Sequence, residues 1–255
     1  MHKSIAIVAK LIVALLSVSG MGLLVSEGWL IWHYKYRMGL PNEDKLATVS
    51  ASSPICSVGG QRAYMPLSEM PPLVRQAVVA YDEPDFYERR SANPFMEHVL
   101  DSLFDRPRRP ANVSTSVTRC LMSLAHDCCK ALDWHIGNLI LMDRIAKSLP
   151  RELILEIYVN ESYVGRGAYG LGAAAKSYFG KPLGLLSIDE IAFIAALPRT
   201  PTLLDRRKDI AVERRNLVVE RMLQSGFINE AEAASAKERP LKVHEELPDS
   251  RNRSL

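Results

Sequence analysis

The sequence predicts a mostly α-helical domain behind a single N-terminal transmembrane helix. Residues 5–32 are almost entirely apolar, and farther along apolar residues recur at helical spacing between proline and glycine breaks. The chain has 255 residues, 47% hydrophobic and 24% charged, which suits one domain of ordinary size with an apolar addition. Its net charge is +3 without a run of lysine or arginine, so nothing favours nucleic acid as a partner.

The apolar N-terminal segment is long enough to cross a bilayer. Residues 11–26 form an unbroken run of apolar and small residues, and a helical span needs about 20 apolar residues. We assign residues 1–37 to a membrane anchor with the span at about 8–32. A cleaved signal peptide is the alternative, but the length and an aromatic belt at the far end favour an uncleaved anchor. The belt consists of Trp29, Trp32, Tyr34 and Tyr36.

The rest of the chain divides into a linker, a domain and a tail. Turn-forming residues dominate residues 38–67, which predicts a linker with at most short strands. A folded domain is predicted over residues 68–243, and residues 244–255 are typical of a frayed polar tail. The first helix of the domain begins at the prolines of residues 71–72 and ends before Pro84.

Later helix boundaries carry strong local signals. Residues 187–190 and 229–232 each read as a capping box, in which a cap residue and an acidic residue three positions later satisfy each other's backbone N–H groups. Pro150 opens one helix and Pro198 closes another. Gly226 marks the end of the long helix before it.

The densest stretch of special residues runs from Glu156 to Pro201. On physical grounds alone it reads as a tightly packed helix–turn–helix, rich in glycine and tyrosine. It resembles the glycosyltransferase family 51 domain, the peptidoglycan polymerase module, whose pattern is roughly E-L-Y-L-N-x-x-Y-F-G-x-G-A-Y-G-I-x-A-A-A-x-x-Y-F-G-K. The matching positions are Glu156, Tyr158, Asn160, Tyr163, Gly165, 167–170, 173–175 and 178–181.

The segment Y-D-E-P-D-F-Y-E-R-R, residues 81–90, resembles the family's first motif, E-D-x-x-F-x-x-H-x-G. With Phe86 as the anchor of the alignment, the family's catalytic glutamate falls on Asp82 and its next aspartate on Glu83, so the pair is inverted. The resemblance implies that one of these carboxylates is the general base that deprotonates the 4-hydroxyl of the acceptor sugar. On residue types alone, a solvated acidic helix end is the alternative.

The second and third motifs are only partly matched. Residues 113–121 resemble G-x-S-T-I-T-Q-Q-L, with arginine and cysteine in place of the glutamines, and the alternative is a capped helix start. Residues 134–138 read W-H-I-G-N where the family has R-K-x-x-E, so two cations and a glutamate are lost. Residues 91–112 lie between the first and second motifs, and the resemblance implies that they form a mobile jaw that guides the lipid substrate.

The resemblance implies a lysozyme-like fold in two lobes, in a monofunctional transglycosylase that binds no β-lactam. The substrate is then lipid II, and the partners are the growing glycan strand, membrane lipid and other cell-wall synthases. The domain is expected on the periplasmic side of the inner membrane, anchored by a single pass. The implied substrate-binding residues are Phe86, Thr115, Ser116, Thr118, Arg119, His135, Asn138, Glu156, Tyr158, Asn160, Gly165 and Lys181.

Two other functions stay open. The altered first and third motifs suit a catalytically impaired module that holds lipid II or a synthase partner. A lysozyme-type hydrolase needs paired carboxylates across a cleft, for which Asp82 or Glu83 with Glu156 are the candidates. No cofactor or metal site is predicted, because the histidines are scattered, and a divalent-cation requirement with the diphosphate substrate is left open.

The cysteines allow two interpretations. None of them has the C-x-x-C spacing of a zinc or redox motif. In an exported domain they form one or two disulfides, and otherwise they are buried small hydrophobic side chains. The residues are Cys56, Cys120, Cys128 and Cys129.

Overall fold

The computed structural model describes Trp32 and residues 39–57, 59–88, 113–122 and 131–244. Within these ranges no helix combines the length and the apolar character that a membrane crossing requires. Apart from Trp32, the predicted span lies outside the described residues. The predicted jaw, Cys128, Cys129 and the tail beyond His244 lie outside them as well.

The described part of the chain is mostly helical, which confirms the predicted class, while the two-lobed lysozyme-like arrangement stays a prediction. Short strands and two 3-10 turns, Leu183–Leu185 and Leu197–Arg199, connect the helices. The elements are α1 Glu43–Ala47, β1 Gln61–Arg62, α2 Pro72–Asp82, α3 Val113–Met122, α4 Ala131–Ser148, α5 Arg151–Glu161, β2 Tyr163–Gly165, β3 Ala168–Tyr169, α6 Leu171–Phe179, α7 Ile188–Ala196, α8 Pro201–Arg206, α9 Lys208–Gln224 and α10 Glu230–Glu238.

The helices bury their apolar faces against one another in two groups. Helices α2, α7 and α9 pack together, and α10 covers α9. Helix α3 packs against both α4 and α5. Residues such as Val78, Ile194 and Val218 are fully buried where the first group meets. The apolar periodicity seen in the sequence therefore marks faces that turn inward, as in any helical domain.

The predicted helix boundaries are confirmed. Helix α2 begins at Pro72 and ends two residues before Pro84, which cannot donate the next helical hydrogen bond. Helix α5 begins directly after Pro150. Both capping boxes form, at Ser187 with Glu190 and at Asn229 with Glu232. Gly226 follows the end of α9 with a φ of 71°, a conformation that glycine adopts without strain.

The segment predicted as a linker is part of the packed structure. Asn42 caps helix α1 by accepting a 3.0 Å hydrogen bond from the Lys45 N–H, and Leu46 on this helix is fully buried. The sequence prediction of at most short strands missed this helix, because a single turn of helix gives too short a periodic signal. Strand β1 pairs in parallel with β3, which pairs antiparallel with β2, giving the order β1-β3-β2.

Candidate functional site

Two buried carboxylates stand next to each other where helix α2 ends. Asp82 is 6% exposed and Glu83 is 4% exposed. The Glu83 N–H still donates to the Val79 carbonyl, but its φ of −154° and ψ of 78° take the chain out of the helix. The side chains of the two residues therefore diverge. The first-motif carboxylates are buried, in contrast to the alternative of a solvated acidic helix end.

Asp82 is held through both carboxylate oxygens. The Tyr158 hydroxyl donates to Oδ2 at 2.6 Å, and Arg199 Nε donates to Oδ1 at 2.5 Å. Burial raises the pKa of the Asp82 carboxyl, while the Arg199 cation and the Tyr158 hydrogen bond oppose that shift. Burial and the neighbouring Asp82 charge raise the pKa of the Tyr158 phenol well above its ordinary value. The three side chains form one connected polar group inside the domain.

Glu83 faces the start of helix α3 instead. Its Oε2 lies 3.5 Å from the Ser114 hydroxyl, which donates to it. Glu83 belongs to the first motif and Ser114, 31 positions later, belongs to the second. The two motif segments therefore meet at Glu83. Phe86, the anchor of the first motif, is fully buried, and its ring lies under the Arg151 guanidinium at 5.3 Å.

The predicted substrate-binding residues of the second motif share helix α3 but differ in exposure. The Thr118 hydroxyl is buried and donates to the Ser114 carbonyl at 2.8 Å, so its hydrogen bond is made within helix α3. The Thr115 hydroxyl lies 4.0 Å from the Met142 sulfur of helix α4. Ser116 is partly exposed and Arg119 is exposed. The Thr115 and Ser116 hydroxyls in the first turn of α3 and the Arg119 cation in its last turn are groups that can hold phosphate oxygens.

The third-motif positions lie on helix α4. His135 is exposed, and its ring meets Trp134 edge to face with centroids 5.1 Å apart. Asn138 is partly buried, and its Oδ1 has no hydrogen-bond partner among the described residues. An amide oxygen in such a position can accept a hydrogen bond from a ligand.

The central motif residues mostly hold the fold together. Glu156 accepts hydrogen bonds from the Tyr64 hydroxyl at 2.7 Å and from the Leu67 N–H at 3.1 Å. Asn160 bonds both the N–H and the carbonyl of Met65 at 2.9 Å. As arranged, these two side chains fasten residues 64–67 to helix α5. This engagement weakens the case for Glu156 as the second carboxylate of a hydrolase.

Gly165 and Lys181 also make contacts within the protein. Gly165 has a φ of 91°, and a Cβ there would overlap the Tyr178 hydroxyl. Lys181 Nζ lies 2.6 Å from Glu190 Oε1 at the start of helix α7.

The sequence interpretation missed the residues that pair over long distances. Arg199, from the 3-10 turn after α7, had no place among the predicted site residues, although it lies inside the stretch from Glu156 to Pro201. Glu161 was also missed: its Oε2 accepts from three successive N–H groups, those of Ile55, Cys56 and Ser57, at 3.1, 2.7 and 3.0 Å. Its Oε1 lies 2.8 Å from Arg62 Nε. Such pairings leave no local pattern in the sequence.

Cys56 and Cys120 form a disulfide that joins the loop before β1 to helix α3. Their sulfurs and a Glu161 oxygen lie within 4.8 Å of one another, as in a metal site. The sulfurs are bonded to each other, however, and of the Glu161 oxygens Oε2 already accepts from backbone N–H groups while Oε1 forms an ion pair with Arg62. The cluster is therefore a structural cross-link, which fits the disulfide interpretation of the cysteines.

Comparison with known proteins identifies the class. The sequence model of the family described as Transglycosylase matches residues 51–223. The chain therefore belongs to the transglycosylase family.

Individual relatives are all larger proteins. Penicillin-binding protein 1A of Rickettsia bellii is 30% identical over 266 residues, covering 98% of this chain and 33% of the relative. Penicillin-binding protein 1A of Escherichia coli is 30% identical over 207 residues, covering 78% of this chain and 24% of the relative. The crystal structure of penicillin-binding protein 1A from Haemophilus influenzae aligns with 74% of this chain and 19% of that chain, at 23% identity and a TM-score of 0.44. The chain spans a third or less of the length of these relatives.

Proposed function

We propose that this protein is a peptidoglycan glycosyltransferase that polymerises lipid II into glycan strands. Membership of the transglycosylase family supports the reaction class. The observation that carries the proposal for the site is the 3.5 Å approach of the Ser114 hydroxyl to Glu83 Oε2. It brings Glu83, one of the two first-motif carboxylates, to the hydroxyl-bearing helix of the second motif.

In the proposed reaction, the 4-hydroxyl oxygen of the acceptor sugar attacks the anomeric carbon of a lipid-pyrophosphate donor. The bond between that carbon and the pyrophosphate oxygen breaks, and the pyrophosphate leaves with the electron pair. A first-motif carboxylate, Asp82 or Glu83, takes the hydroxyl proton. The exposed Arg119 and the hydroxyls of Thr115 and Ser116 on helix α3 are the candidates to hold the diphosphate oxygens.

The proposed location is the outer face of the cytoplasmic membrane, with the anchor at residues 1–37. The Cys56–Cys120 disulfide supports a domain on that side, because disulfides persist in oxidising compartments. Lipid II, the growing strand, membrane lipid and other cell-wall synthases are the proposed partners.

Glycan polymerisation tests the proposal. The full chain in detergent is given labelled lipid II, and products are resolved on a gel beside those of Asp82→Ala and Glu83→Ala. Glu88→Ala is the matched control, since Glu88 is an exposed carboxylate of the same segment. Polymer from the parent and the control, lost in at least one first-motif variant, supports the proposal. A folded parent that makes no polymer contradicts it.

A second candidate is a non-catalytic module that binds lipid II. It is favoured by the engagement of Asp82 with Arg199 and Tyr158, and by His135 and Asn138 at third-motif positions. Saturable lipid II binding without polymer, in the same preparation, is the outcome that would select this function.

A further inference from the structure

The two carboxylates at the end of α2 have different surroundings, although they are adjacent in sequence. Asp82 points to helix α5 and to the turn that carries Arg199, whereas Glu83 points to helix α3. Only one of these directions leads to the hydroxyls and the exposed arginine of the second motif. The two side chains are therefore not equivalent candidates for the same chemical step.

The Asp82 carboxylate is already occupied. The Tyr158 hydroxyl bonds one of its oxygens at 2.6 Å and Arg199 bonds the other at 2.5 Å, and the side chain is 1% exposed. A general base has to come within hydrogen-bond reach of the proton that it removes. Asp82 meets protein donors on both oxygens, so a substrate hydroxyl would have to displace one of them.

Arg199 holds more than the carboxylate. Its Nη2 donates to the carbonyls of Tyr81 at 3.2 Å and of Asp82 at 3.4 Å. Its guanidinium also lies over the Tyr81 ring, 4.6 Å from the centroid. Arg199 thus holds the last turn of helix α2 through both backbone and side-chain contacts. We call this set of contacts the clamp.

Glu83 follows this clamped turn directly. Its backbone leaves the helix, and its carboxylate approaches the Ser114 hydroxyl at 3.5 Å. It is one methylene longer than the aspartate beside it. Displacements of about 1 Å in a reacting group can change rates by about 100-fold, so the clamp on the preceding residue matters for where Glu83 lies.

We infer that Asp82 is an anchor held by Arg199 and Tyr158, and that Glu83 takes the proton of the acceptor hydroxyl. Arg199 is then a positioning residue, since it acts through Asp82 and the end of α2. The inference rests on the proposed glycosyl transfer. The proton passes from the 4-hydroxyl to Glu83 as the new carbon–oxygen bond forms, and the diphosphate leaves with the electrons of the broken bond.

The first test compares polymerisation kinetics of the full chain in detergent. Glu83→Gln is expected to lower kcat by about 100-fold or more with the KM for lipid II changed less than about threefold. Asp82→Asn is expected to keep at least about one-tenth of the parent kcat, because asparagine can still accept from Arg199 and donate to Tyr158. The inference is overturned when a folded Asp82→Asn loses as much kcat as Glu83→Gln.

The second test is a rescue. Arg199→Leu leaves the buried Asp82 anion without its cation, and we expect the melting temperature to fall by about 5–15 °C. Adding Asp82→Asn removes that anion, so the double variant should recover at least half of the lost melting temperature. Its kcat should stay below that of Asp82→Asn, because the bonds of Arg199 to the Tyr81 and Asp82 carbonyls are lost as well. An arginine that only stabilises the fold predicts the same kcat for the folded double variant and for Asp82→Asn, and an Asp82 base predicts that Asp82→Asn alone already loses as much kcat as Glu83→Gln.

Failure of the proposed function can be told apart from failure of the proposed Asp82 anchor. When the parent makes no polymer, the proposed function and the role of Glu83 fall together. The anchor is still judged by the melting temperatures, which require no turnover. Additive losses in the Asp82→Asn and Arg199→Leu single and double variants would overturn it.

Discussion

Cys56 and Cys120 are joined by a disulfide that closes a loop of 64 residues, with their Cα atoms 5.5 Å apart. One end lies in the loop that donates three N–H groups to Glu161, and the other lies in helix α3, which carries the second motif. The disulfide thus ties the segment before the domain core to a helix of the candidate site.

Removal of this disulfide should destabilise the protein. In the chain-entropy description, a cross-link over a loop of this length contributes about 4 kcal/mol, and measured values are often lower. We expect the Cys56→Ser/Cys120→Ser variant to lose about 2–4 kcal/mol in the free energy of unfolding, measured with urea. Dithiothreitol should lower the stability of the parent similarly and leave that of the variant unchanged. A parent that is insensitive to the reductant would contradict the expectation.

Glu161 should be among the most sensitive acidic residues of the described structure. Its side chain is 2% exposed, one oxygen accepts three backbone N–H groups and the other pairs with Arg62. Glutamine keeps the shape but loses the charge that faces those donors. We expect Glu161→Gln to lower the free energy of unfolding by about 3 kcal/mol.

The matched control for this change is Glu238→Gln on the exposed end of helix α10. It should stay within about 0.5 kcal/mol of the parent, as surface substitutions usually do. Equal effects of the two substitutions in urea unfolding would show that the donors around Glu161 contribute nothing beyond a surface charge.

Two glycines of the central stretch allow a controlled comparison. Both have left-handed backbones, with φ of 91° at Gly165 and 68° at Gly167. A Cβ at Gly165 would overlap the Tyr178 hydroxyl, whereas a Cβ at Gly167 meets nothing within 4 Å. Gly167→Ala should therefore lower the stability by about 1 kcal/mol for its backbone alone. Gly165→Ala should lower it by about 1–3 kcal/mol more, because its neighbours have to move.

Thermal or urea unfolding of both variants measures this difference. Similar losses at the two positions would mean that the Tyr178 contact is readily relieved. Retention of lipid II binding by a folded Gly165→Ala would favour a packing role for this glycine over a direct role in binding substrate.

Helix boundaries that depend on neighbouring residues are the features that the sequence predicts best. The capping boxes at residues 187–190 and 229–232, and the helix starts at Pro72 and after Pro150, depend on residues within a few positions of one another. Helix α1 was not predicted, because its five residues are too few to give a periodic pattern.

The polar pairs of the site could not be read from local pattern. Arg199 reaches Asp82 across 117 positions, and Glu161 reaches Cys56 across 105. Motif resemblance assigned Glu156 and Asn160 to substrate, which stays a prediction, and the structure adds that both side chains bond residues 64–67. A motif records which residues a family keeps, and packing and chemistry can both be the reason.

The hydrogen bond from Tyr64 to Glu156 makes a prediction at high pH. It is the main cause that raises the pKa of Tyr64 to about 12, from an ordinary value of 10.0. Because the Tyr64 phenol is harder to ionise in the folded protein, the stabilising effect of its hydrogen bond is complete below pH 10 and is lost as the pH rises toward 12.

Ultraviolet absorbance of the phenolate, recorded as the parent minus Tyr64→Phe, should show a midpoint near pH 12. In a Glu156→Gln background, the midpoint of the same absorbance difference should move toward pH 10, since the charge of the acceptor is gone. A midpoint near pH 10 in the parent itself would show that this hydrogen bond does not hold the phenol in solution.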